Sequence, residues 1–121
     1  MKQLLTLCFP LDSGIMTTVR LATGGACSLA GIGLDASEDC KVCVTESLLL
    51  LLHRGYPAAR VEFCEDEGLR VRIGGEGGRT ETSPCEEDEI SLALLGALLE
   101  EFDTEREGDV LRAVAFRIRK A

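Results

Sequence analysis

Polar and apolar residues alternate loosely over 3–10 and stop at Pro10, which predicts a first strand. The pattern then changes period. Ile15, Met16, Val19, Ala22, Ala26 and Ala30 recur at three- and four-residue steps, so a helix is expected over 13–31, with Ser13 as a possible cap and Gly31 and Gly33 ending it. Gly24 and Gly25 inside it cost roughly 1 kcal/mol each relative to alanine, which points to a bend or a close neighbour.

The strongest periodic stretch covers 35–54. Asp35 with Glu38 three residues on reads as a capping box. Asp39, Val42, Cys43, Glu46, Leu49, Leu50 and His53 would share one face, and Leu48 to Leu52 make the last turns apolar all round, as in a helix buried among other elements. Gly55, Tyr56 and Pro57 break the chain. Strands are then expected over 60–65 and 69–73, joined by Asp66, Glu67 and Gly68, with Val61, Phe63, Leu69, Val71 and Ile73 inward and Glu62, Arg70 and Arg72 outward. A glycine-rich polar loop follows from Gly74 to Thr82. Ser83, Pro84 and Glu86 have the spacing of a helix start, predicting a heavily buried helix over 83–102. A second hairpin over 103–107 and 110–118 turns at Gly108 and Asp109, with Leu111, Ala113 and Ala115 on one face and Val114, Phe116 and Ile118 on the other.

The 121 residues fit one domain, 1–121, and 45% hydrophobic residues are enough for a normal core. No secretory signal is readable and the leucine run is too short for a membrane span, so a cytoplasmic protein is expected. In that compartment the six cysteines read as free thiols, and Cys40 with Cys43 lacks the two further ligands a zinc site requires. The net charge of −8 argues against nucleic acid and makes a basic protein partner more natural. Glu86, Glu87, Asp88 and Glu89 read as a solvated helix start. Among the carboxylates, Glu46 stands out. It lies one turn before Leu50 on a face that should be covered, and can be a residue at the edge of that face or a general base.

Several stretches together resemble the anti-sigma factor serine kinases, a small bacterial branch of the superfamily of histidine kinase-like ATPases. They are Phe9-Pro10, Val19-Arg20-Leu21, Ala30-Gly31, Glu38-Asp39, Val44 through Ser47, Tyr56, Glu76-Gly77 and Leu98 through Phe102. The resemblance implies an α+β two-layer sandwich whose mixed, mostly antiparallel sheet is covered on one face by helices, and a homodimer. It also implies an ATP pocket, in which Glu46 takes the place of the catalytic glutamate. The remaining nucleotide residues depart from the pattern. Leu50 stands where the family has a magnesium-binding asparagine, Gly75 where an aspartate holds adenine, and Glu89, Ile90 and Ser91 where a Gly-x-Gly approaches the phosphates. Leucine cannot ligate magnesium, and carboxylates at a helix start repel phosphate. Two readings follow. One is a regulatory protein without nucleotide or metal cofactor that docks a partner of the sigma factor or anti-sigma antagonist class. The other is an active serine kinase with Glu46 as base.

Overall fold

The computed structural model describes residues 1–78 and 86–120. β1 (Lys2–Pro10) is followed by a single 3-10 turn, then α1 (Met16–Leu29) and α2 (Leu34–His53). β2 (Ala58–Glu65) and β3 (Leu69–Glu76) form the first hairpin, α3 (Glu86–Leu98) follows, and β4 (Phe102–Glu107) with β5 (Val110–Ile118) forms the second. The five strands make one sheet in the order β1-β2-β3-β5-β4. Every pairing between described strands is antiparallel, so the two-layer α+β sandwich forms with no parallel component in its sheet.

Register decides which side chains enter the core. Val61 lies opposite Ile73 and Ile73 opposite Val114, while Phe63 lies opposite Val71 and Val71 opposite Phe116. All six are buried, and they carry the inner face across three adjacent strands. Burying a side chain the size of Phe63 contributes about 1.5–3 kcal/mol. On the other face Glu62 pairs with Arg72 and Arg72 with Ala115, as period-two alternation requires. β5 departs from simple alternation. Leu111 and Ala113 are buried along with Val114, Phe116 and Ile118, and the β4–β5 register shifts between Glu105 and Arg106.

α2 packs between α1 and α3 and across β3 and β5, which makes it the central helix. Its ends and faces differ from expectation. Gly33, in extended conformation, is the N-cap, and no side chain caps the helix. Asp35 therefore lies inside the first turn, where it complements the dipole, and Glu38 pairs with Lys41 at 2.9 Å in place of a capping box. The buried stripe runs through Ser37, Cys40, Cys43, Val44, Ser47, Leu48, Leu50 and Leu51. Of the face expected to be covered, only Cys43 and Leu50 are buried. Asp39 is exposed and the rest lie half-buried on the flank.

The other corrections have local causes. Asp12, not Ser13, caps the turn before α1, its Oδ1 accepting from the Gly14 amide at 2.7 Å. Gly24 has the close neighbour expected of it, since an ideal Cβ there would stand 3.1 Å from Cε of Lys41 on α2, but Gly25 faces open space. Gly74 and Gly75 are strand residues rather than the start of a loop. Gly75 pairs with Ala59, and Gly74 pairs with Arg60 and Ala113. The proposed helix start at Ser83 and Pro84 lies outside the described residues. α3 ends at Leu98 rather than 102, and its outer side is not buried: Ile90 and Leu94 are exposed, and Leu95 is the fully buried leucine within it. No described helix is long and apolar enough to cross a membrane.

Candidate functional site

α2 and β3 place the candidate nucleotide residues, and their packing decides what each can do. Glu46 is half-buried on α2, and its side chain makes no hydrogen bond or ion pair among the described residues. One turn later Leu50 is 1% exposed and belongs to the core between α2 and its neighbours. A divalent cation beside Glu46 would meet a methyl-lined wall where an oxygen donor is required. Among the described residues no three histidine, cysteine or carboxylate side chains are grouped so as to hold a metal ion.

Gly75 is closed in another way. Tyr56, following the break at Gly55, turns its ring onto β3, and an ideal Cβ on Gly75 would stand 2.5 Å from that ring. Any side chain at 75 must displace the tyrosine. The ring is also anchored at its far end, where the hydroxyl donates to the Leu111 carbonyl on β5 at 2.7 Å with Tyr56 4% exposed. Thus the site where the family resemblance expects an adenine-binding aspartate holds a buried aromatic that ties β3 to β5. At the expected phosphate-binding tripeptide, Glu89 and Ile90 are exposed and Ser91 is buried.

The acidic run at the start of α3 contains a residue that sequence reasoning read as solvated. Asp88 is 2% exposed. Its Oδ1 lies 2.9 Å from Nδ1 of His53 and its Oδ2 lies 3.1 Å from the Arg54 guanidinium, so the last residue of α2 and the cap after it are clamped to the first turn of α3. The sequence signal was available only in part: His53 is the sole histidine and lies two turns after Glu46, but its partner is 35 residues away.

Across the uncovered face of the sheet runs a groove of about 440 Å³ lined by Met1 and by charged side chains that include Arg70, Arg72, Arg117, Asp103 and Glu105. Its arginines are already occupied. Arg72 makes two bonds to Glu105, at 2.8 and 3.0 Å, and Arg70 and Arg117 meet the same oxygen of Asp66 at 3.5 and 3.2 Å. The guanidinium hydrogen bond holds Glu105 below the usual carboxylate range, and the same bond raises Arg72. These groups are partly exposed and screened, worth about 0.2–1 kcal/mol per pair, and they read as a solvated face.

Apolar surface is exposed elsewhere. On α1, Leu21 and Leu29 are 74% and 66% exposed with the open Gly25 between them, and Leu34 just beyond is 77% exposed. This part of the chain is also unusually poor in acid: Asp12 is the single carboxylate among residues 1–34, against Lys2 and Arg20. β1, beside α1, is a sheet edge whose Leu4, Leu5, Leu7 and Phe9 are only partly covered. In comparisons with known proteins, no family model and no curated protein matches the chain.

Proposed function

We propose that this chain is a cytoplasmic regulatory protein of the anti-sigma kinase-like type that has lost nucleotide binding and works by docking a protein partner. The observation that carries the reading is Leu50, 1% exposed at the position where a kinase of this type needs a magnesium ligand. The Tyr56 ring over Gly75 supports it independently. The kinase alternative retains Glu46 but has neither metal ligand nor adenine contact, and phosphoryl transfer depends mostly on positioning and charge neutralisation.

The partner class suggested by the resemblance is a sigma factor or an anti-sigma antagonist. Apolar, acid-poor surface on α1 and β1 suits self-association in a chain of net charge −8, because here two copies can meet without opposing carboxylates. β1, at the edge of the sheet, adds main-chain hydrogen-bonding capacity. Light scattering at micromolar concentration is expected to give twice the 13.0 kDa of one chain, and Leu21→Glu combined with Leu29→Glu to halve that mass without loss of helical signal. A wild-type chain that scatters as a monomer removes the dimer from the proposal.

A further inference from the structure

α3 turns one stripe inward and leaves the opposite one uncovered by the described residues. Asp88, Ser91, Leu95 and Leu99, three and four residues apart, are buried along the inner side. The outer side carries Ile90, 60% exposed, Leu94, 38% exposed, and the exposed Ala93, Gly96 and Ala97. From Ile90 to Leu99 the sequence has no charged residue, although a surface helix ordinarily sets charged side chains on its solvent face. The stripe is low as well as apolar: an ideal Cβ on Gly96 meets nothing within 4 Å, and Ala93 and Ala97 present only a methyl group each. A second helix can therefore lie close to the α3 backbone.

Charge decides what covers it. Residues 80–105 contain no lysine or arginine, and carboxylates close both ends of the stripe, Glu86, Glu87 and Glu89 before it and Glu100 and Glu101 after it. Glu89, Glu100 and Glu101 are exposed, and Glu100 meets Arg119 at 3.8 Å. Asp88 is taken up by His53 and Arg54 and does not belong to this rim. A second copy of α3, laid in either direction, would set carboxylates against carboxylates, and an anionic membrane surface would be repelled in the same way. We propose that the outer face of α3 docks a basic amphipathic helix of a partner protein, with the partner's apolar side on Ile90 and Leu94 and its lysines or arginines at the two acidic ends. This rests on the reading of the chain as a protein-docking regulator, and it separates two surfaces: the acid-poor α1 and β1 for a second copy, the acid-rimmed α3 for the partner.

The test is fluorescence anisotropy of a labelled model peptide, an amphipathic helix with leucines along one side and lysines at both ends, against the same peptide with glutamates in place of the lysines. The full chain is expected to bind the lysine peptide, more weakly as salt rises, and to leave the glutamate peptide free. Ile90→Gln combined with Leu94→Gln should weaken binding about tenfold or more, as expected for the loss of two central contacts. Ala97→Arg exchanges one good helix former for another at an exposed position, so the chain keeps its helical signal while added bulk and like charge weaken binding to the same extent. Leu21→Gln combined with Leu29→Gln should leave the affinity unchanged. No binding, equal binding of the two peptides, or binding that the α3 substitutions leave intact overturns the proposal. Self-association abolished by the α3 substitutions also overturns it, by making a second copy the occupant. Binding lost through the α1 substitutions instead ends the assignment to α3 while the docking reading stands, and that reading falls separately if the wild-type chain binds Mg-ATP.

Discussion

Leu50→Asn is expected to destabilise the protein by roughly 2 to 5 kcal/mol without conferring affinity for Mg-ATP. The leucine is 1% exposed on the helix that touches α1, α3, β3 and β5, so its loss removes packing from the centre of the molecule. The replacement amide arrives with no partner provided for it. A domain of this size has about 5–15 kcal/mol of net stability, so a loss in that range should lower the melting temperature by on the order of 10 °C. Urea denaturation gives the free energy directly, and a nucleotide titration on the folded fraction gives the second half of the result. An asparagine variant that keeps its midpoint and gains Mg-dependent nucleotide affinity would show an open pocket beside Glu46, and the reading of Leu50 as core would be wrong.

The second large effect is expected at Asp88. Removing its carboxylate by Asp88→Ala takes away a group 2% exposed that lies 2.9 Å from His53 and 3.1 Å from Arg54, whose side chain is 12% exposed. Breaking a buried ion pair from one side leaves the other charge in a poorly solvated site, and the cost is on the order of 3 kcal/mol. Asp88→Asn retains an acceptor and should cost less. A double-mutant cycle with Arg54→Ala isolates the pairwise part, expected to be well above the additivity error for independent sites. The exposed Arg72–Glu105 pair, measured the same way, provides the contrast: its coupling should stay within about 1 kcal/mol and fall with salt. An Asp88→Ala variant as stable as the parent would mean that the clamp between α2 and α3 contributes nothing.

What could be read from the sequence was whatever depended on local period. The faces over 60–65 and 69–73 were legible, though β2 starts earlier at Ala58 and β3 runs on to Glu76, because alternation fixes the faces and Asp66, Glu67 and Gly68 supply the turn: Glu67 has φ 53° and Gly68 φ 126°, and a Cβ on Gly68 would strike the Ile118 carbonyl. α2 was legible as the centre for the same reason, its leucine run being too apolar for a surface helix. Its start was misread because a glycine in extended conformation did the work assigned to Asp35. Gly74 and Gly75 looked like loop residues on composition; the Tyr56 ring, distant by chain position, explains why the strand must lack a side chain at Gly75, while a Cβ on Gly74 would meet the Arg72 guanidinium at 3.1 Å. α3 was overrated as buried, since its apolar residues cover more of the helix surface than the rest of the chain covers in turn.

The candidate site was legible in a narrower sense. Glu46 and Leu50 could be singled out, and the chemistry of leucine already spoke against a metal there. The clamp of Asp88 onto His53 and Arg54 was not readable, because four consecutive carboxylates look alike until tertiary contacts select one.

The central claim, that the nucleotide site is closed, is tested most directly by titrating the wild-type chain with Mg-ATP while following its thermal unfolding. A ligand that binds the native state alone adds RT ln(1 + [L]/Kd), which is about 4 kcal/mol for millimolar nucleotide and a micromolar Kd. The melting curve is expected to stay in place at every nucleotide concentration, with magnesium or without it. A saturable, magnesium-dependent rise in melting temperature would contradict the account.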